Sequence, residues 1–575
     1  MTAIETAVPN REPLPEDAPI TPRGYRRLTY FLGFFAGENI SGTAFVIGAS
    51  FATWGVGTID TILGLFIGAT LGILSYTLVT ATMAVQTRVT LFTYLKRIAG
   101  PGFQKVYNVV NGIVSCIMAG AMIMVSVSAL RVVLDVPAQQ QWYPTSVSYI
   151  GLVVVIGAVI AVVAAYGFNS VARFATVCTP WLLIVFVTGM FVALPTLQDA
   201  STGTSGDAFS RFVELGDEFV WIASFGQDSL SIWHVIFYTW GCALVMHLGL
   251  SDMAVFRFAK NSAYGLSSAT GMYGGYVLSW VSAGLMGAAA AVLAGTTIGE
   301  LDAGMIAHGI LGTLGIVVIF IAGWGAANPA IYRAGLAFQT LRPGSSERTV
   351  TLVTGAVVTL IACFPLVFTK LVDIIAIYGL VIVPVGAIVV TEHWLFARFG
   401  MTRYWASYRF LNISPAATAT WGLSILLVVV LVITEPIHLY FMFPFVFVFA
   451  AVTHLLVSAM CGARGDYPQA ATTEFALEAA KLDSAHDANP EDQGLAQDES
   501  HRNRPRSWAV GVQVWALALT ATAALVAFIA AGVAVYGGTL SRDAFSTVGI
   551  VATAAYFLAA VAFLARVESD RSPVE

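Results

Sequence analysis

Gly37-Glu38-Asn39-Ile40-Ser41-Gly42 interrupts the first long apolar run of the chain, Thr29 to about Trp54. It falls near the depth at which a helix would cross the bilayer midplane. Two glycines bracket a carboxylate, a carboxamide and a hydroxyl where little water is present. A helix in hydrocarbon satisfies its own backbone, and an ionised side chain at its centre costs roughly 3 kcal/mol or more. Such a segment persists where it lines a cavity. There the opened backbone and the halves of a broken helix can hold an ion or a polar solute. The stretch therefore reads as the centre of a transport site.

Working outward, the composition agrees. The chain has 575 residues, is 57% apolar and only 11% charged, with a mean hydropathy of +0.79. Soluble domains average roughly 25% charge, so this is an integral membrane protein. Fourteen apolar segments are each long enough to cross about 30 Å of hydrocarbon. They lie near 29–54, 59–84, 106–130, 147–166, 174–195, 231–250, 266–295, 308–332, 349–368, 371–396, 415–434, 438–460, 508–535 and 545–566; they are called spans 1 to 14. The first 27 residues are polar and proline-rich without an apolar signal core, so span 1 itself is expected to direct insertion. With the N-terminus inside, only Arg131, Arg211, Lys370 and Arg542 of 28 basic residues land outside. Both termini are then cytoplasmic. The five cysteines follow no disulfide or metal-ligand spacing.

The chain divides into a cytoplasmic tail (1–27), a ten-span core (28–400), spans 11 and 12 (401–464), an acidic cytoplasmic linker (465–506) and a C-terminal two-helix hairpin with its tail (507–575). The hairpin reads as detachable. Between spans 5 and 6, Phe219-Val220-Trp221-Ile222 reads as an interfacial anchor, or else as a short helix on the outer mouth. An odd number of spans per unit inverts the second copy, so spans 1–5 and 6–10 read as inverted repeats. Span 6 carries Trp240-Gly241-Cys242 at a depth similar to the break in span 1. Paired weak points in two halves point to a solute site between them.

Local patterns then resemble the nucleobase:cation symporter-1 family of purine, cytosine, allantoin and hydantoin permeases. Ser251-Asp252-Met253-Ala254-Val255-Phe256-Arg257 is similar to its S-D-x-x-R-Y region, with the basic residue displaced and the tyrosine absent. Tyr332 to Leu341 resembles the later part of its N-x-Y-x-A-x-L-x-x-Q-x-L signature, with Asn328 two residues early. Tyr166-Gly167-Phe168 through Pro180 and Pro384-Val385-Gly386 also resemble family segments, and Glu392-His393 stands where Asp-Tyr is usual. The likeness covers about residues 25–460. It implies an all-α five-plus-five inverted-repeat transporter with discontinuous helices 1 and 6, in the plasma (inner) membrane. It also implies symport of a small heterocyclic solute with a proton or sodium ion.

The departures set the expectations for the site. The resemblance implies a tryptophan clamp from spans 3 and 6, yet span 3 offers Ser115, Cys116 and Met118, and span 6 only Trp240. The two span-8 hydroxyls of sodium-coupled members fall on Ala322 and Gly323, or on Trp324 and Gly325. That leaves the carbonyls of Gly37 and Ile40, short of the five or six hard oxygens a sodium ion wants, as other hard cations do. Proton coupling through Glu38 is the expectation. Glu38 can equally pair with a cationic or amine-bearing solute, or be a structural carboxyl tied to freed amides. Asn39 and Ser41 serve as ligands or as interhelical bonds. Asn328 matches an amide edge or caps carbonyls freed by Pro329. Trp240 stacks on a planar solute or simply packs. Neither a cofactor nor a nucleic-acid partner is expected; the partners are a small solute, a coupling cation and the bilayer. Clustered catalytic groups of membrane enzymes are missing from the sequence. A transporter-like sensor signalling through the linker and hairpin is the remaining alternative.

Overall fold

The computed structural model describes residues 19–20, 24–139, 141–166, 168–201, 207–223, 228–247, 250–341, 344–468, 470 and 508–569. Most of the N-terminal tail and of the acidic linker lies outside the described residues. Every regular element among them is helical. Eleven helices are long and apolar enough to cross a membrane. A twelfth counts when Leu28–Asn39 and Thr43–Ala52, bent by 59° at a break, are taken as one span. Shorter apolar helices, Ile232–Leu244 and Arg348–Ala362, stand at spans 6 and 9. This is a multi-pass membrane protein.

The pairing of helices reveals the internal symmetry. Span 3 (Pro101–Val133) packs along span 8 (Thr313–Gln339), and span 4 (Val147–Ala164) along span 9 (Glu347–Ala362). Span 2 (Thr58–Thr87) packs on span 6 (Ile232–His247), and the second half of span 1 on span 7 (Ser262–Ala294). Exchanging each span with the one five places away maps this set onto itself: 3–8 and 4–9 are preserved, and 2–6 becomes 7–1. Two repeats of five therefore interlock, and the break in span 1 lies between them. Spans 11 (Pro415–Thr434) and 12 (Leu439–Cys461) pack on span 10 (Leu371–Leu395).

Helix starts follow local chemistry. Ser414 caps span 11 with Pro415 at its first position, where the missing amide costs nothing. Asp302 caps the short helix Ala303–Leu311 by accepting from the Met305 amide at 2.9 Å, satisfying one orphan donor.

Three expectations change. Span 6 runs unbroken through Trp240-Gly241-Cys242 to His247. Its discontinuity comes later, where Leu250 adopts a left-handed φ of 57° before the short helix Met253–Phe256. A single glycine beside bulky neighbours keeps its helical bonds, so that weak point did not part. The C-terminal hairpin is not detachable: Trp508–Tyr536 lies along span 5 (Phe168–Ala200). Trp181 donates to Thr553 Oγ1 at 3.0 Å, Tyr556 to the Val177 carbonyl at 2.8 Å, and the Leu314 amide to Ser546 Oγ at 3.2 Å. Trp221 is no interfacial anchor, being 4% exposed. Its segment follows the helix Ala208–Leu215 and one wide turn, Gly216–Val220. Asp217 there accepts from the Thr58 amide at 2.7 Å, and the Ile222 amide reaches the Ala52 carbonyl at 3.1 Å. The loop is thus bolted over the ends of spans 1 and 2.

Candidate transport site at the break in span 1

The first half of span 1 ends at Asn39 and the second begins at Thr43. Ile40, at φ −89° and ψ 91°, leaves helical geometry, and its amide still reaches the Ala36 carbonyl at 3.0 Å. The ladder resumes with Ala44 donating to Ser41 at 3.1 Å. Packing holds the break open. A Cβ on Gly42 would lie 2.9 Å from the carbonyl carbon of Ala322 and 3.0 Å from the Gly323 nitrogen. One on Gly275 of span 7 would lie 2.4 Å from the Asn39 carbonyl oxygen. Backbone thus meets backbone on two sides, which only residues without a side chain allow. Span 7 widens into a π-helical stretch at Met272–Ser279, against this contact.

Glu38 sits at the last turn before the break and meets Arg333 of span 8, whose Nη2 donates to Glu38 Oε1 at 2.6 Å. The Arg333 side chain keeps 37% of its surface accessible and Glu38 keeps 16%. The second carboxylate oxygen, Oε2, is buried and has no hydrogen-bond partner among the described residues. Next to this pair, Tyr378 of span 10 donates to Asn111 Oδ1 of span 3 at 2.9 Å, and Tyr378 and Asp252 lie within electrostatic reach of Arg333. Four spans therefore converge on a charged and polar centre.

The remaining site expectations separate. Ser41 stays in the break, its hydroxyl 2.7 Å from that of Thr43. Gly37 and Ile40 flank it, and Ala322 and Gly323 lie directly against Gly42. Asn39 turns away: its amide nitrogen donates to the Phe35 carbonyl at 2.9 Å, within its own helix. Asn328 is fully buried. The amide orientation that satisfies its neighbours donates to the Ile160 carbonyl at 3.2 Å and accepts from Trp324 Nε1 at 2.8 Å, binding spans 8 and 4 together. Trp240 donates to Ser75 of span 2 at 3.0 Å and meets the Phe443 ring edge-on at 4.9 Å, so it packs spans 2, 6 and 12. Ser115 is buried on span 3.

Two features escaped the sequence. Arg333 stands one residue past the apolar run of span 8 and reads as a residue of its cytoplasmic end; the helix that carries it continues to Gln339, and its contact with Glu38 has no signal in the sequence. The second is an aromatic layer toward the far end of span 1. Phe51 stacks on Trp280 at 5.4 Å, Trp54 on Tyr440 at 5.2 Å, and Tyr238 meets Tyr440 edge-on at 4.8 Å. Tyr276 stacks on Trp280 at 4.5 Å. His438 meets Tyr440 edge-on at 4.5 Å, beside this layer.

No protein-family model and no curated protein matches the sequence. Solved structures do. Mhp1, a nucleobase-cation-symport-1 family transporter solved closed with bromovinylhydantoin bound, aligns at a TM-score of 0.59 with 16% identity, over 81% of this chain and 99% of that one. A Na+-coupled sialic acid symporter aligns at 0.48, with 13% identity over 77% and 92%. MhsT, solved with L-phenylalanine, aligns at 0.45, with 12% identity over 76% and 99%. The first likeness shows the fold, which is that of a five-plus-five inverted-repeat transporter.

Proposed function

We propose that this protein is a secondary active transporter that imports a small polar heterocyclic solute with a coupling cation, across the plasma (inner) membrane with both termini cytoplasmic. The observation that carries the reading is the break at Ile40–Gly42, clasped between spans 7 and 8 with the Glu38–Arg333 pair beside it. Helix ends at mid-bilayer supply backbone groups to a bound solute, and the two repeats can rock about that point. A solute edge presenting a donor beside an acceptor, as nucleobases and hydantoins do, suits a carboxylate next to a guanidinium. A purely cationic amine suits it less, because Arg333 already holds Glu38 Oε1.

Proton coupling is favoured over sodium. Positions 322 and 323 bring backbone, not hydroxyls, against Gly42. The nearby hydroxyls are engaged locally, Ser41 with Thr43 and Ser126 with the Phe320 carbonyl at 2.9 Å. Glu38 Oε2, a buried acceptor without a hydrogen-bond partner among the described residues, is where a proton would reside; leaving such a group unsatisfied costs about 1–3 kcal/mol. A protonated Glu38 no longer holds Arg333 as an ion pair, so proton binding loosens span 1 from span 8. That is a physical route from protonation to rearrangement.

The test is uptake by proteoliposomes of nucleobases, hydantoins, allantoin and vitamins under separate proton and sodium gradients. Accumulation driven by the proton gradient supports the reading. Binding without accumulation under either gradient would favour a sensor.

A further inference from the structure

Spans 5 and 10 close the two repeats, and each carries a proline inside its helix, Pro180 in span 5 and Pro384 in span 10. An internal proline donates no bond to the carbonyl four residues back, and its ring pushes the preceding turn open. In hydrocarbon the carbonyls of that turn need another donor. Both helices receive one from outside the ten-span core, at the same offset. Tyr556 of span 14 (Arg542–Ser569) donates to the Val177 carbonyl at 2.8 Å, three residues before Pro180. Trp421 of span 11 donates through Nε1 to the Val381 carbonyl at 2.9 Å, three residues before Pro384. Both donors are buried side chains.

The surroundings repeat as well. Span 11 begins against the start of span 3: the Ser414 amide reaches the Ala99 carbonyl at 2.8 Å, and the Gly102 amide the Asn412 carbonyl at 2.7 Å. Span 14 begins against the start of span 8, where the Leu314 amide donates to Ser546 Oγ at 3.2 Å. Exchanging 3 with 8, 5 with 10 and 11 with 14 carries one set of contacts onto the other. The inverted symmetry of the core thus extends to one appended helix per repeat. Span 5 has a second internal proline, Pro195, and the hairpin brackets it too. Tyr536 meets the Phe191 ring edge-on at 6.0 Å, and Arg542 donates to Thr196 Oγ1.

We propose that Tyr556 and Trp421 are paired splints, each holding the proline turn in the last span of one repeat, and that the C-terminal hairpin supplies the splint on span 5. With the aromatic donor in place the opened turn is satisfied and the span moves as one rod. Without it the carbonyl is stranded and the proline turn becomes a hinge. The starts of spans 3 and 8 lie on opposite faces of the membrane, being five spans apart, so the two splints are fastened from opposite sides.

Hydrogen exchange read by mass spectrometry on the purified full-length protein tests this without any solute, so its failure is separable from failure of the transport reading. Tyr556→Phe removes one hydroxyl and keeps the ring. It should raise exchange in peptides covering 177–184 by about fivefold, the worth of one hydrogen bond, and leave 381–388 unchanged. Trp421→Phe should do the reverse. An unchanged rate around Pro180 in Tyr556→Phe, or a rise of equal size in every span, would overturn the proposal. Should Trp421→Phe not fold, the Tyr556→Phe comparison decides alone.

Discussion

Spans 1 and 6 occupy equivalent places in the two repeats, and each carries glycine near mid-depth. Only span 1 parts there. Its glycines bracket Glu38, Asn39 and Ser41, and its break is received by glycine-lined backbone on span 7 and by Ala322–Gly323 on span 8. Gly241 has a different setting. Among the described residues a Cβ there would meet only the Phe443 ring, at 3.7 Å, and Trp240 is anchored to Ser75. A helix in a membrane opens where polar groups compete for its backbone and where the neighbours have been shaped to accept the opening. Glycine alone supplies neither condition.

The contrast is broken or sharpened by substitution. The largest effect is expected at Gly42. A side chain there drives into the span 8 backbone, so Gly42→Leu should abolish uptake, whereas Gly241→Ala should leave it within about twofold, since the added methyl finds ordinary contact distances. Next comes the ion pair. Arg333→Gln or Glu38→Gln removes one member of a partly buried pair, and uptake should fall by at least about tenfold, taking roughly 1.5 kcal/mol once solvent screening at the accessible guanidinium is allowed for. The charge-swapped double variant should recover part of that loss if the pair itself matters. Third, Gly275→Ala sets a methyl 2.4 Å from the Asn39 carbonyl oxygen and should destabilise the protein by about 1–3 kcal/mol, read as a lowered unfolding temperature. The smallest effects belong to the anchors that face away from the break. Asn328→Ala and Trp240→Phe should cost about 1 kcal/mol of stability each and leave the apparent KM for the transported solute unchanged. A raised KM in either would return that residue to the solute site.

The break was legible because it is a local event: residues that disfavour a helix in hydrocarbon stand together in sequence. The inverted repeat was legible from the odd number of spans in each half. Direction was not. Asn328 and Trp240 sit at the anticipated depths yet turn to Ile160 and Ser75, since the azimuth of a side chain on a membrane helix depends on which neighbours arrive. Arg333 escaped because hydropathy marks where apolar residues stop, and a helix buried in protein continues past that point. The docking of the C-terminal hairpin was equally hidden. Lipid-facing and protein-facing apolar surfaces have similar compositions, and among the described residues four hydrogen-bonding contacts, from Trp181, Tyr556, Arg542 and Leu314, mark the interface. Removing 507–575 therefore exposes span 5.

The central claim is that the opening in span 1 binds the travelling solute and that Glu38 takes the coupling proton. Proton-gradient-driven uptake of a hydantoin or nucleobase by reconstituted wild type and Glu38→Gln, matched for folded protein, tests it most directly. The account predicts accumulation in wild type and only gradient-independent exchange, or nothing, in Glu38→Gln. Equal accumulation by the two proteins would contradict it.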